Sequence, residues 1–409
     1  MLSWSTAGES HGCALIALME GLPAGVPVST ELLRHALSIR RRGYGRGARQ
    51  KFEQDQVRII SGVRHGYTTG APVAVEIANS EWPKWETVMS ADPVPEGALN
   101  VDAGKGDGRE MARNRRLTSP RPGHADLAGL LSYDLDDARD ILERASARET
   151  AARVVLGALA RSFLQSVSSI DVISHVVRVG EKKNQNSNLP LPQDREALDE
   201  AQMRTLDAEA EAAFIEVIDE AKRSGDTVGG IVEVVAWNVP IGLGTHVSED
   251  GKLDARLAAS LMAIQSVKGV EIGDGFTEAM RFGSEAHDEI LLDENGTPTR
   301  ATNRAGGIEG GTSNGQPIVV RAAFKPISTV PKALKTIDLA TGREAKAFHQ
   351  RSDTCQVVPG AVIAEAQVCL QIAKALSERM GGRSVGEVKA QLDWYEDHIA
   401  ARLRPVDER

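Results

Sequence analysis

Leu32, Leu33, Ala36, Leu37 and Ile39 recur at the three- and four-residue spacing of one helical face, so the chain is expected to form an amphipathic helix there. Pro27 and Ser29 precede that face, Ser29 is a suitable N-cap, and Gly43, Gly45 and Gly47 end it. A longer helical pattern covers 150–167. Further helices are predicted between the polar loop at 182–198 and about residue 223, over 253–267, over 359–380 and over 385–402. Short apolar or alternating runs predict strands at 14–17, 57–62, 72–78, 171–179, 228–237, 268–274 and 318–324. Residues 79–123 and 303–317 are rich in Gly, Pro, Asn, Asp or Arg and read as loops, and a loop as long as the first is usually functional or mobile. Strands and long helices mix in both halves of the chain. The pattern favours an α+β protein of two similar halves packed together, with no composition break strong enough to mark a linker.

Composition narrows the class. Hydrophobic residues make up 41% and charged residues 26% of 409 positions, a globular balance. Aromatics are only 4%, so Val, Ile, Leu and Ala must fill the core. No uninterrupted apolar run approaches the roughly 18 residues of a membrane span. The short stretch 13–19 follows no basic segment and is a poor signal peptide. Cys13, Cys355 and Cys369 are far apart, and the nine histidines show no HxH or HExxH pattern. The expectation is a cytoplasmic protein without a metal site.

The net charge of −9 opposes nonspecific nucleic-acid binding, but the cations are locally concentrated. Arg34, Arg40, Arg41, Arg42, Arg46, Arg49 and Lys51 form one cluster, and Arg109, Arg113, Arg115, Arg116 and Arg121 a second. Arginines at a helix C-terminus are favourable in themselves, by about 0.3–1 kcal/mol each, so Arg40 to Arg42 also have an ordinary structural reading. A nucleic-acid-binding protein using these clusters is the alternative to an enzyme for small anions.

Candidate chemistry is spread along the chain. His11 lies in Gly8-Glu9-Ser10-His11-Gly12, and His124 in Arg121-Pro122-Gly123-His124-Ala125-Asp126. Histidine titrates near neutral pH, and flanking glycines let backbone approach a ligand. Gly43-Tyr44-Gly45-Arg46-Gly47 suits a basic loop over an anion but is neither GxGxxG nor GxxxxGK[ST]. The Arg144 to Thr150 segment is expected to open the long helix, where free N–H groups bind anions, although on the residues alone plain capping is the stronger reading. Residues 303–315 carry Gly306, Gly307, Gly310, Gly311 and Gly315, and Lys325 to Thr329 offer a cation and two hydroxyls. Asp353 sits in a polar stretch, where an aspartate is commonly a helix N-cap.

Taken together, 7–12, 40–51 (RRRGYGRGARQK), 121–126, 144–150, 265–276, 303–317, 325–329 and 351–359 resemble the chorismate synthase family in order and spacing, from the first residues to about 380. The resemblance implies a β-α-β sandwich, helices packed between two antiparallel sheets, as a single domain over 1–409 with its core in 1–380 and a C-terminal helix at 385–402. It implies a small-molecule substrate, 5-enolpyruvylshikimate 3-phosphate, losing phosphate and a C6 hydrogen by anti-1,4-elimination to give chorismate. Reduced FMN would be the cofactor, donating an electron transiently and taking the C6 hydrogen at N5. NADPH would enter only as an external reductant source through a separate flavin reductase, since no dinucleotide fingerprint is present. The family is typically homotetrameric; neither nucleic acid nor membrane is a partner.

By position, His11 would hold the reduced flavin in its catalytic charge state, His124 would act as general acid for phosphate, and Asp353 would relay a proton. Ser10, Arg40, Arg46, Arg49, Arg121, Arg144 and Arg351 would bind substrate. Arg144, Ala145, Ser146, Gln265, Ser266, Gly310, Lys325, Pro326, Ile327, Ser328, Thr329 and Arg351 would line the flavin site. Many relatives have serine where Ala145 stands, which removes a hydroxyl contact. Such ligands bring roughly six to seven negative charges together. At an effective dielectric of about 20, each like-charge pair about 4 Å apart costs about 4 kcal/mol, and arginine is the residue suited to offset this.

Overall fold

The computed structural model describes residues 1–47, 55–100, 113–294, 296, 298–348 and 353–403. The first half runs β1 (Ser3–Ala7), β2 (Ala14–Glu20), α1 (Thr30–Arg40), β3 (Gln56–Ser61) and β4 (Val73–Ala78). Its four strands form an antiparallel sheet in the order β1-β2-β4-β3. Helices α2 (Asp126–Tyr133), α3 (Ala138–Ala145) and α4 (Thr150–Val167) follow. The second half runs β5 (Asp171–Val179), the short β6 (Lys182–Lys183), α5 (Ala208–Arg223), β7 (Gly230–Trp237), α6 (Leu253–Met262), β8 (Val267–Ile272), β9 (Ile318–Phe324), α7 (Val357–Met380) and α8 (Val385–Leu403). Its antiparallel sheet has the order β8-β9-β7-β5-β6.

With the short β6 set aside, the two sheets have one topology: first strand beside second, second beside fourth, fourth beside third, a helix between second and third, and a long helix after the fourth. This is the expected pair of similar halves. The β5–β7 and β8–β9 connections are much longer than their counterparts in the first half, which is why no repeat is visible in the sequence.

The two long helices make the middle layer. Helix α4 packs on β2 and α1, α7 packs on β5 and β7, and α4 and α7 pack on each other. A Cβ built at Gly157 of α4 would lie 2.3 Å from Ala366 Cβ of α7, so glycine is what lets these helices touch. Alternation in the strands points one face of each sheet at this layer: Val73, Val75 and Ile77 from β4, and Val232, Val234 and Ala236 from β7, are buried in a common core. Helix α7 is long and apolar enough to cross a membrane, with a mean hydropathy of 1.3 over its best window. Its apolarity has another cause, because 89% of that window is buried inside the protein.

One buried ionic cluster pins the second half to this layer. Glu365 of α7 accepts from Arg195 at 2.8 Å, from Arg204 at 2.9 Å and from Ser174 Oγ at 2.6 Å, and also pairs with Arg161. Arg195 reaches Asp171 at 2.7 Å, and Arg204 pairs with Asp199. Arg204 itself is 2% exposed.

Most predicted elements occur. Ser29 caps α1 through a 3.1 Å bond from Leu32 N–H to its Oγ. Strand β1 and helices α2 and α3 were not foreseen, nor were the hairpins joining Ile290–Leu292 to Pro298–Arg300 and Lys335–Asp338 to Arg343–Lys346. The 182–198 loop contains β6 and leads into a short helix, Arg195–Glu200. Helix α6 ends at Met262 rather than at 267: Ser266 turns the chain at φ 72°, its carbonyl accepts Lys325 N–H at 2.9 Å, and Val267 already pairs with Phe324.

Candidate active site

The turn between β1 and β2 carries His11. Gly8 opens it at φ 100°, and a Cβ there would come within 2.3 Å of Ala14 O, so the tight return of β2 requires glycine. Asn79, just past β4, clamps the turn by donating from Nδ2 to Ser10 O and Gly12 O, both at 3.1 Å. Glu143 of α3 accepts from His11 N–H at 2.8 Å and lies 2.9 and 3.0 Å from Nδ1. The imidazole stacks on Trp85 with ring centroids 3.8 Å apart. Ser10 Oγ is 3.2 Å from Ser146 Oγ.

Arg144 and Ala145 end α3 rather than opening α4, and Ser146 caps a single 3-10 turn, Ala147–Glu149, that leads into α4. The expected anion-binding helix start is therefore two elements joined at Ser146. Arg144 donates to Thr6 O at 3.0 Å and Gly8 O at 3.2 Å. Arg40 is buried and donates to Thr150 Oγ at 3.0 Å and Ala147 O at 2.8 Å. Ser10, His11, Arg40, Arg144 and Ser146 thus converge on the approach to α4.

Gln265 extends this group, donating from Nε2 to Glu149 Oε2 at 3.1 Å while its own Oε1 is buried with no hydrogen-bond partner among the described residues. Burial alone would raise the Glu149 pKa, but Arg153, Thr6, Gln265 and Arg144 outweigh it and hold it below the ordinary value. Ser266 then bonds Lys325, whose ammonium contacts Gly123 O beside His124.

His124 belongs to a second carboxylate pair. Its Nδ1 is 2.5 Å from Asp126 Oδ1, and Arg121 Nη2 lies 3.0 Å from Nδ1 and 3.2 Å from Nε2. Arg121 is buried, donates from Nε to Asp126 at 2.8 Å and from Nη1 to Thr329 at 2.9 Å, and lies 4.9 Å over the Phe348 ring. Asp126 is fully buried. Desolvation pushes its pKa up, yet the His124 and Arg121 hydrogen bonds outweigh that and hold it well below the usual carboxylate range.

The glycine loop after α1 brings in Asp353. Gly43 has φ 110°, and a Cβ there would meet Val358 at 2.7 Å, so the loop packs down on α7. Arg46 pairs with Asp353 at 2.6 Å, Gly47 N–H donates to the same carboxylate at 2.7 Å, and Thr354 N–H bonds Gly45 O. Thr227 Oγ donates to Ile327 O at 2.8 Å, while its neighbour Val228 bridges Cys355, which ties Asp353 to the 325–329 segment. Gly310 stands apart at an exposed hairpin turn beside His246. Arg49 and Arg351 lie outside the described residues, as do Lys51 and Arg109.

The described members of the first arginine cluster are divided: Arg34 and Arg42 are exposed, while Arg40, Arg41 and Arg46 are buried or partly buried. Arg40 is buried, Arg41 lies 4.0 Å from Asp55, Arg42 donates to Asp199 O, and Arg46 holds Asp353. Among the described residues, Arg40, Arg41 and Arg46 are engaged with the protein itself rather than aligned as a cationic stripe for a nucleic-acid backbone. Glu143, Asp126, Trp85 and Thr150 hold these side chains in place; Asp126 and Thr150 lie in motifs noted from the sequence, Glu143 and Trp85 do not. Glu143 and Asp126 each flank a candidate residue, but only folding shows which neighbour they serve. Among the described residues no cluster of ligating side chains suits a metal ion.

Two histidines on buried carboxylates, with arginines and a lysine nearby, are a set of side chains suited to an enzyme acting on a small polyanion. A family profile described as chorismate synthase matches residues 2–377. A chorismate synthase of Mycolicibacterium vanbaalenii is 55% identical over 407 residues, covering 100% of this chain and 98% of that protein. One of Corynebacterium diphtheriae is 53% identical over 403 residues, covering 98% and 99%. A solved structure described as the crystal structure of chorismate synthase superposes with a TM-score of 0.76 at 36% identity, covering 98% of each chain. The chain belongs to the chorismate synthase family, and its activity is that of a lyase in aromatic amino acid biosynthesis.

Proposed function

We propose that the chain converts 5-enolpyruvylshikimate 3-phosphate to chorismate and phosphate, with reduced FMN bound beside the substrate. The observation that carries the reading is the chain of contacts from Gly8 through Arg144, Glu149, Gln265, Ser266 and Lys325 to Gly123, which links the turns bearing the two carboxylate-paired histidines. The residues present fit a flavin. The orphaned Gln265 Oε1 is an acceptor of the kind a ring N–H needs, and Lys325, Ser328 and Thr329 provide a cation and hydroxyls for a phosphate. Ser266, held at positive φ, sets the backbone beside Gln265. When bound, the reduced flavin supplies transient electron donation and accepts the C6 hydrogen.

The protein's own part is orientation and proton handling. Arg40, Arg46, Arg121 and Arg144 would bind the carboxylates and phosphate, together with Ser10, Arg49 and Arg351. Protonated His124 would give its proton to the departing phosphate, with Asp126 stabilising the imidazolium. His11 would keep the flavin in its catalytic charge state, and Asp353 would relay the C6 proton. Ala145, Ser146, Pro326 and Ile327 would complete the flavin site through backbone or packing contacts. The electrons would come from outside, through a separate reductase using NADPH, in the cytoplasm.

The test is anaerobic phosphate release from the enolpyruvyl substrate. Turnover is expected with reduced FMN and none without it; equal rates in the two arms would refute the reading.

A homotetramer completes the proposal. Phe276, Met280, Phe282, Ile290, Leu291 and Leu292 are exposed and follow β8, an edge strand of the second sheet. An apolar patch next to an unpaired edge suits a second copy of the chain. Light scattering is expected to give four chain masses, and Phe276→Ser/Phe282→Ser to give a smaller species. A monomeric wild type would overturn this.

A further inference from the structure

We infer that Glu143 is the positioning residue of His11, its buried carboxylate accepting a hydrogen bond from Nδ1–H so that proton exchange with ligand falls to Nε2. This rests on His11 taking part in the proposed reaction.

Glu143 contacts the His11 turn through every polar group it has on that side. Its carboxylate accepts from His11 N–H at 2.8 Å and lies 2.9 and 3.0 Å from Nδ1, while its backbone carbonyl accepts from Ser10 N–H at 3.0 Å. The carboxylate is 1% exposed, and Arg139 Nη1, 3.7 Å away, supplies counter-charge. A buried acceptor this close to Nδ1 favours the tautomer that carries its proton there. Trp85 fixes the remaining freedom. Its ring stacks on His11 at an interplanar angle of 22°, backed by Arg139 and Arg113 guanidiniums 5.4 and 5.2 Å from the Trp85 centroid. Rotation about the ring is set by Glu143 and tilt by Trp85.

A purely structural role, tying α3 to the β1–β2 turn, would give the same contacts but different behaviour. In protein labelled with ¹⁵N-histidine, the wild-type His11 signal is expected to show a protonated Nδ1, and Glu143→Gln to mix the two tautomers. In the anaerobic assay Glu143→Gln is expected to lower kcat on the order of 10- to 100-fold with KM changed less than about threefold. His11→Ala/Glu143→Gln is expected to be no slower than His11→Ala alone, because the carboxylate acts through the imidazole. An Nδ1 without its proton in the wild type, a loss confined to KM, or additive losses in the double variant would each overturn the assignment. The wild-type spectrum decides even if Glu143→Gln fails to fold. Full turnover by His11→Ala would instead refute the role of His11, leaving the tautomer result to stand separately.

Discussion

Replacing His124 by alanine is expected to lower turnover by about 10²- to 10⁴-fold, the usual contribution of one general acid, while flavin binding persists. The reason lies in how the ring is held. Asp126 lies 2.5 Å from Nδ1, and Arg121 contacts both side chains. Asp126 is fully buried, yet its folded pKa is depressed, so it stays ionised throughout the range in which the enzyme would work. The sign follows from the depression. The pair's contribution to stability is complete above the ordinary carboxylate value of about 3.9 and is lost only as pH falls toward the lower folded value. Anaerobic phosphate release measures the effect, and a near-normal rate for His124→Ala would refute the assigned role.

Glu365→Gln is expected to destabilise the fold by about 3–5 kcal/mol, read from the urea midpoint at neutral pH. The substitution keeps volume but removes the charge shared by Arg161, Arg195 and Arg204, of which Arg204 is 2% exposed. Asp171 and Asp199 still neutralise part of the cluster, so a loss at the lower end is anticipated. Desolvation works against the Glu365 charge, but the three guanidiniums outweigh it and hold its pKa well below the usual range. Its stabilisation is therefore present above the unfolded value of about 4.3 and lost as pH falls further. The gap between wild type and variant should narrow in acid. A midpoint unchanged at neutral pH would mean that the cluster is held by packing alone.

The same two sites show where sequence reading reaches its limit. Local periodicity identified α1 with its Ser29 cap, α4 residue for residue, and β5 and β9, because amphipathic spacing and burial agree there. It failed at 126–145, where α2 and α3 lie. Each is only eight residues long, and α2 leaves Leu127, Leu131 and Tyr133 exposed, so hydrophobic spacing is a poor guide. It also ran α6 past its true end, since a non-glycine residue at φ 72° has no sequence signal.

The sequence by itself determined most of the long elements, the family and the residue types that chemistry needs, because helical and strand periods are local and the motifs are ordered along the chain. It could not determine partners across long separations. That Glu143 serves His11, that Arg46 holds Asp353, and that Gly157 faces Ala366 are facts of packing between residues more than a hundred positions apart. Such pairings depend on which faces the two sheets and the helices between them bring together. Only the tertiary structure turned a list of arginines and histidines into two imidazoles held by buried carboxylates.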